Sequence, residues 1–127
     1  MIIVSQDKHK IIAKFDSLVI DNYEGIETIK AITNNKELEI GVYYAAGKAQ
    51  EILGELANSI LNEKTFKTES VYVMPANVYI EPTGKNEHYG YIECEIRKIA
   101  SWGENITLLK TDQKTAETLY RLYYKEL

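Results

Sequence analysis

Two stretches of this sequence bring together side chains of the kinds that do chemistry. The first is "SQDKHK", Ser5 to Lys10, in which Asp7, Lys8, His9 and Lys10 are consecutive. A histidine beside a carboxylate suits proton transfer, which also needs a water-excluded cavity to tune it. Here the polar run separates Ile2-Ile3-Val4 from Ile11-Ile12-Ala13, the composition of a hairpin connection, so His9 is expected in solvent without a catalytic role. The second stretch is "HYGYIECEIR", His88 to Arg97. A period of two puts Tyr91, Glu93, Glu95 and Arg97 on one strand face and Ile92, Cys94 and Ile96 on the other. A histidine with carboxylates can ligate a metal, but carboxylates beside an arginine are also the makings of an ion-paired, solvated strand face. The second reading is taken, so no metal site is expected. His88, Tyr89, Tyr91, Glu93, Glu95 and Arg97 are instead the expected binding surface, with the loop from Thr83 to His88 leading into it. Tyrosine suits that role, with a large apolar face, a polar tip and few rotatable bonds.

Other chemistries lack their residues. Gly41, Gly47 and Gly54 form neither a Walker-type loop nor a dinucleotide fingerprint, and no lysine-serine pair follows Gly47. Cys94 is the sole cysteine, which rules out an internal disulfide and a cysteine-based zinc site. Ten tyrosines against two phenylalanines and one tryptophan are the compositional excess. The net charge of −4, with acids and bases interleaved, argues against nucleic-acid binding. With no basic leader and no run of the ~18 apolar residues that a membrane span needs, the cytoplasm is the expected location.

The elements that must position these residues follow from periodicity. Ile2 to Val4, Ile11 to Ala13, Leu18 to Ile20 and Ile26 to Thr33 read as extended, separated by turn residues such as Gly25 and Asn34-Asn35. Leu38, Ile40 and Val42 alternate with polar neighbours, which predicts a strand with Tyr43 on its open face. From Ala45 to about Asn62 a stripe of Ala49, Ile52, Leu53, Leu56 and Ile60 predicts a helix. Val71 to Met74 and Val78 to Ile80 are extended and broken at Pro75, and "EPTG", Glu81 to Gly84, suits a type I turn. Tyr89 to Ile99 and Ile106 to Leu109 pair across "SWGEN". Thr111 or Asp112 then caps a helix whose stripe is Ala116, Leu119, Tyr120 and Tyr123. The expectation is a single α+β domain over 1–127, with antiparallel sheets and two helices in the order strands, helix, strands, helix, its halves being 1–64 and 65–127. Ile3, Leu38, Ile40, Val42, Ile52, Leu53, Leu56, Ile60, Ile92, Cys94, Ile96 and Leu119 are the predicted core.

"MIIVSQDKHKIIAKFD", then "LEIGVYYAAGKAQEILGELANSI" and "VYVMP", resembles small uncharacterised phage and prophage proteins of Gram-positive bacteria. Those read apolar-Ser-Gln-Asp-Lys, a Phe-Asp strand, Leu-Gly-x-Tyr before an Ala-rich helix, and Tyr-x-Met-Pro. Ser5, Gln6, Asp7, Lys8, Phe15, Asp16, Gly41, Tyr43, Ala49, Leu53, Tyr72, Met74 and Pro75 match, with Ile40 where leucine is usual. The resemblance runs roughly from Met1 to Pro75, so the chain from Asn77 onward reads as an elaboration. It implies a mobile-element setting rather than a reaction. The expected function is therefore a non-enzymatic, phage-type binding protein that occludes a host protein, in its sharpest form an anti-defence inhibitor of the anti-CRISPR kind. The alternative is a small-molecule or nucleotide-binding, sponge-like protein, in which tyrosines stack a base and Lys85, Arg97 or Lys98 meets phosphate, with homo-oligomerisation building pockets between subunits. Neither reading calls for a cofactor, a membrane or direct nucleic-acid contact.

Overall fold

The computed structural model describes residues 1–85, 87–99 and 104–125 and divides the chain into two compact units, Met1–Pro75 and Ala76–Leu127. The class is α+β in the expected order of strands, helix, strands, helix. The first unit contains β1 (Ile2–Val4), β2 (Ile11–Ile12), β3 (Ser17–Tyr23), β4 (Ile26–Thr33), β5 (Lys36–Tyr43), α1 (Lys48–Phe66) and β6 (Val71–Val73). Two-residue turns join β3 to β4 and β4 to β5. Glu24, Gly25, Asn34 and Asn35 all have positive φ there, the backbone twist that matches tight hairpins. A separate sheet has the order β2-β1-β6, with β6 parallel to β1, a departure from the antiparallel pairing expected. Parallel neighbours need a long crossover, and the chain from β1 through α1 supplies it. Because β6 completes this sheet, the first unit runs on to Pro75.

A bulge in β5 overturns one expectation. Ile29 pairs with Gly41 and Lys30 with Glu39, which leaves Ile40 as the extra residue and reverses the alternation beyond it. Tyr43, expected on the open face, is 0% exposed, while Val42 is only half-buried. The Tyr43 ring lies across Gly41: a Cβ there would come within 2.8 Å of Tyr43 Cε2 and 3.1 Å of Met74 Cε. Ile3, Ile12, Ile29, Ala31, Ile40, Ala49, Ile52, Leu56 and Met74 complete this core, with Leu38 and Tyr72 packed on its margin. Leu53 and Ile60, predicted for the core, are only half-buried. The helix starts at Lys48 and not Ala45, and it runs past the expected Asn62 to Phe66, where the C-cap Lys67, at φ 54°, leaves the helical region.

The second unit is a meander of β7 (Asn77–Lys85), β8 (Ile92–Ile99) and β9 (Asn105–Asp112), followed by α2 (Gln113–Leu119) and a π-helical turn (Tyr120–Tyr124). "EPTG" is not a turn. It lies within β7, where the register shifts between Pro82 and Gly84. A bulge absorbs a residue without an N–H and a glycine at φ +142° without ending the strand. Residues 101–103 of the "SWGEN" connection, and residue 100 before them, lie outside the described residues. Asp112 caps α2 by accepting the Thr115 N–H at 2.9 Å. Val78, Cys94, Ile96 and Ala116 form the core, flanked by Ile80, Leu108, Leu109, Leu119, Tyr120 and Tyr124. The π turn adds a residue to the helical repeat, so Tyr124 takes the inward place expected of Tyr123, which is 69% exposed. Ile92, predicted for the core, is 48% exposed because it pairs with exposed Lys85 beyond the β7 bulge, at the lip of a pocket in front of α2.

Candidate functional site

The first chemistry-bearing stretch is a structural bracket. Ser5 Oγ donates to Asp7 Oδ1, which also accepts the His9 N–H at 2.9 Å, and the Lys10 N–H donates to Ser5 Oγ at 3.0 Å. These donors, the Ser5 hydroxyl foremost, hold the Asp7 carboxyl down from 3.8 to about 2. The His9 side chain stands in solvent with Nδ1 3.9 Å from Asp7 Oδ2, too far to share a proton. Gln6, which sequence reasoning passed over, does more. Its Oε1 accepts the Val42 N–H at 3.0 Å, and its Nε2 donates to the carbonyls of Val42 at 3.0 Å and Pro75 at 3.3 Å. Tyr43 OH donates to the same Pro75 carbonyl at 2.9 Å. One side-chain amide thus stands in for a strand along β5, and no sequence pattern marks such a role.

The structure sorts the predicted binding residues into two groups. Glu93, Glu95 and Arg97 join an ion-pair ladder on the face of β7, β8 and β9 away from the core. Arg97 Nη2 lies 2.6 Å from Glu95 Oε2, and its Nε lies 3.2 Å from Glu81 Oε2 on the neighbouring strand. Thr107 Oγ1 donates to Glu95 at 3.3 Å, and Lys110 Nζ lies 3.2 Å from Glu93. The hydrogen bond from Arg97 lowers the Glu95 carboxyl below its usual range, and the same bond raises the guanidinium. Arg97 is therefore engaged by two carboxylates, and a phosphate would have to compete with both for its guanidinium.

His88, Tyr89 and Tyr91 form the second group, at the tip between β7 and β8; Asn86 of the same loop lies outside the described residues. The His88 and Tyr89 rings meet edge to face at 4.6 Å, and those of Tyr89 and Tyr91 are 6.1 Å apart and 11° from parallel. Gly90 between them has φ +74°, which glycine adopts without steric penalty. Tyr89 is 73% and Tyr91 38% exposed, so the tip presents a ready-stacked aromatic surface. Tyr91 also borders the pocket of about 380 Å³ in front of α2.

Among the described residues no three His, Cys, Asp or Glu side chains converge on a point that could hold a metal, and no helix is long and apolar enough to cross a membrane. No protein-family model matches the chain, and neither a curated protein nor a solved structure is similar to it beyond chance.

Proposed function

We propose that this chain is a non-enzymatic binding protein that occludes a protein of the host cytoplasm, with the aromatic tip of His88, Tyr89 and Tyr91 as its anchor. The observation that carries the reading is the exposure of a stacked tyrosine pair in the second unit. Aromatic side chains ordered before contact lose little entropy on binding, which is why such groups dominate protein interfaces. The resemblance to phage and prophage proteins supports the setting, and an anti-defence inhibitor of the anti-CRISPR kind is its sharpest form. The resembling segment is the first unit, so a specialised contact on the second suits an elaboration.

The test is capture from host lysate on immobilised protein, read by mass spectrometry, with wild type beside a Tyr89→Ala/Tyr91→Ala double variant. The wild type should retain one protein that the variant loses, while the variant's stability stays within about 0.5 kcal/mol, as for other exposed substitutions. No specific partner under several conditions, or equal capture by both chains, overturns the reading.

A further inference from the structure

The pocket beside the tip has a chemical character of its own. Its walls are Tyr91 and Ile92 from the β8 side and Asp112, Gln113, Lys114 and Glu117 from the α2 side, two carboxylates against one ammonium. At about 380 Å³ it stands at the small end of the ~300–1,000 Å³ typical of ligand sites, room for a side chain rather than a large cofactor. Asp112 is occupied as the cap of α2, taking hydrogen bonds from the Thr115 amide at 2.9 Å and hydroxyl at 2.7 Å, so it supplies charge rather than contact. Those bonds hold its carboxyl below the usual carboxylate range. Glu117 accepts a hydrogen bond from Gln113 Nε2 at 3.2 Å, a neutral donor that a cation outcompetes. The buried Cys94 thiol is pushed up by burial first, and then by the charges of Glu117 and Asp112.

Resting on the reading of the tip as the contact site, we propose that this pocket receives an arginine side chain of the partner, its guanidinium lying along the Tyr91 ring and pairing with Glu117. A planar, weakly hydrated guanidinium stacks on an aromatic face and pairs with a carboxylate at once, whereas a compact ammonium keeps its water. Ile92, 48% exposed at the lip, gives the apolar stem a surface to cover.

The experiment titrates Nα-acetyl-arginine methylamide into the isotope-labelled full chain and follows backbone amide resonances. Saturable shifts centred on Tyr91, Ile92 and Glu117 are expected, with weaker binding of the lysine analogue. Glu117→Gln and Tyr91→Ala should each weaken binding by about five- to tenfold. Shifts that never saturate, an equal response to the lysine analogue, or indifference to Glu117→Gln overturns the proposal. The probe does not require the partner, so the two failures separate. Probe binding lost while the double tyrosine variant still loses its captured protein removes the pocket assignment alone. Probe binding retained while both chains capture equally removes the contact site and, with it, the arginine's source.

Discussion

The meander β3–β4–β5 with α1 and the meander β7–β8–β9 with α2 follow one plan in dissimilar sequence. Each is three antiparallel strands and a helix, and each has a register shift between its second and third strands, at Ile29/Lys30 and at Ile96/Arg97. Each also carries a cation on the middle strand held by carboxylates. Lys30 Nζ lies 3.0 Å from Asp21 and 3.4 Å from Glu37, as Arg97 lies between Glu95 and Glu81. What differs is how the meander is backed and where the aromatics go. The first has a helix of 19 residues and a core that includes the whole of Tyr43; the second has a helix of 7 residues and, among the described residues, a core of Val78, Cys94, Ile96 and Ala116. Tyr72, in the first unit, gives its hydroxyl to Glu55, and burial with that bond raises it above the usual range. Tyr23 is exposed there, but it stands at a hairpin end, whereas Tyr89 and Tyr91 stack on each other at the tip of the second meander. The same framework serves one unit as a core and the other as a presented surface.

Tyr43→Ala should break the comparison most severely. Removing a fully buried aromatic ring and its bond to Pro75 is expected to destabilise the first unit by about 3–5 kcal/mol in urea unfolding. A loss no greater than that of Tyr89→Ala would mean that both tyrosines are surface residues in effect. Gly90→Ala should act next. A side chain at φ +74° is strained by ~1 kcal/mol, and the tip must turn to relieve it. Partner capture should fall with that change although no contact atom is removed; unchanged capture would show that the stack is incidental. The smallest effect concerns Asp7. Its carboxyl lies lower when folded, at about 2, than the ordinary 3.8, so the ionised form is the one the fold favours. Its contribution is therefore present above the ordinary value and lost as pH falls through the folded one. The stability difference between wild type and Asp7→Asn should be steady above pH ~4 and shrink towards pH ~2. It should also be small, since the side chain is 37% exposed. A difference that grows on acidification would contradict the hydrogen-bond pattern at Ser5 and His9.

Much of this molecule was legible in its residues. The turn at Asp7 to Lys10, the stripe of α1, the cap at Asp112, the facing of Cys94 and Ile96 and the order of elements all follow from neighbours a few positions apart, where chain geometry decides. Tyr91 is exposed as its alternation with Ile92, Cys94 and Ile96 predicts, but the strand expected from Tyr89 begins only at Ile92, so the turn at 87–89 and not a period displays the tyrosines, and Ile92 itself did not follow its phase into the core. The misses share a cause. An extra residue at Ile40 and the π turn at Tyr120–Tyr124 each break a period that sequence reading assumes unbroken, and so Tyr43 went inside and Tyr123 outside. Where such an insertion falls is chosen by the partner strand and by the packing beneath it, not by the residue itself. The same holds for Gln6, whose amide meets β5 across 36 positions of chain, and for Arg97, which finds Glu81 only because β7 lies beside it. Composition and local period determined which residues this protein could bury and which it could show. Tertiary structure decided their phase and their partners, because a strand's register is set by its neighbour.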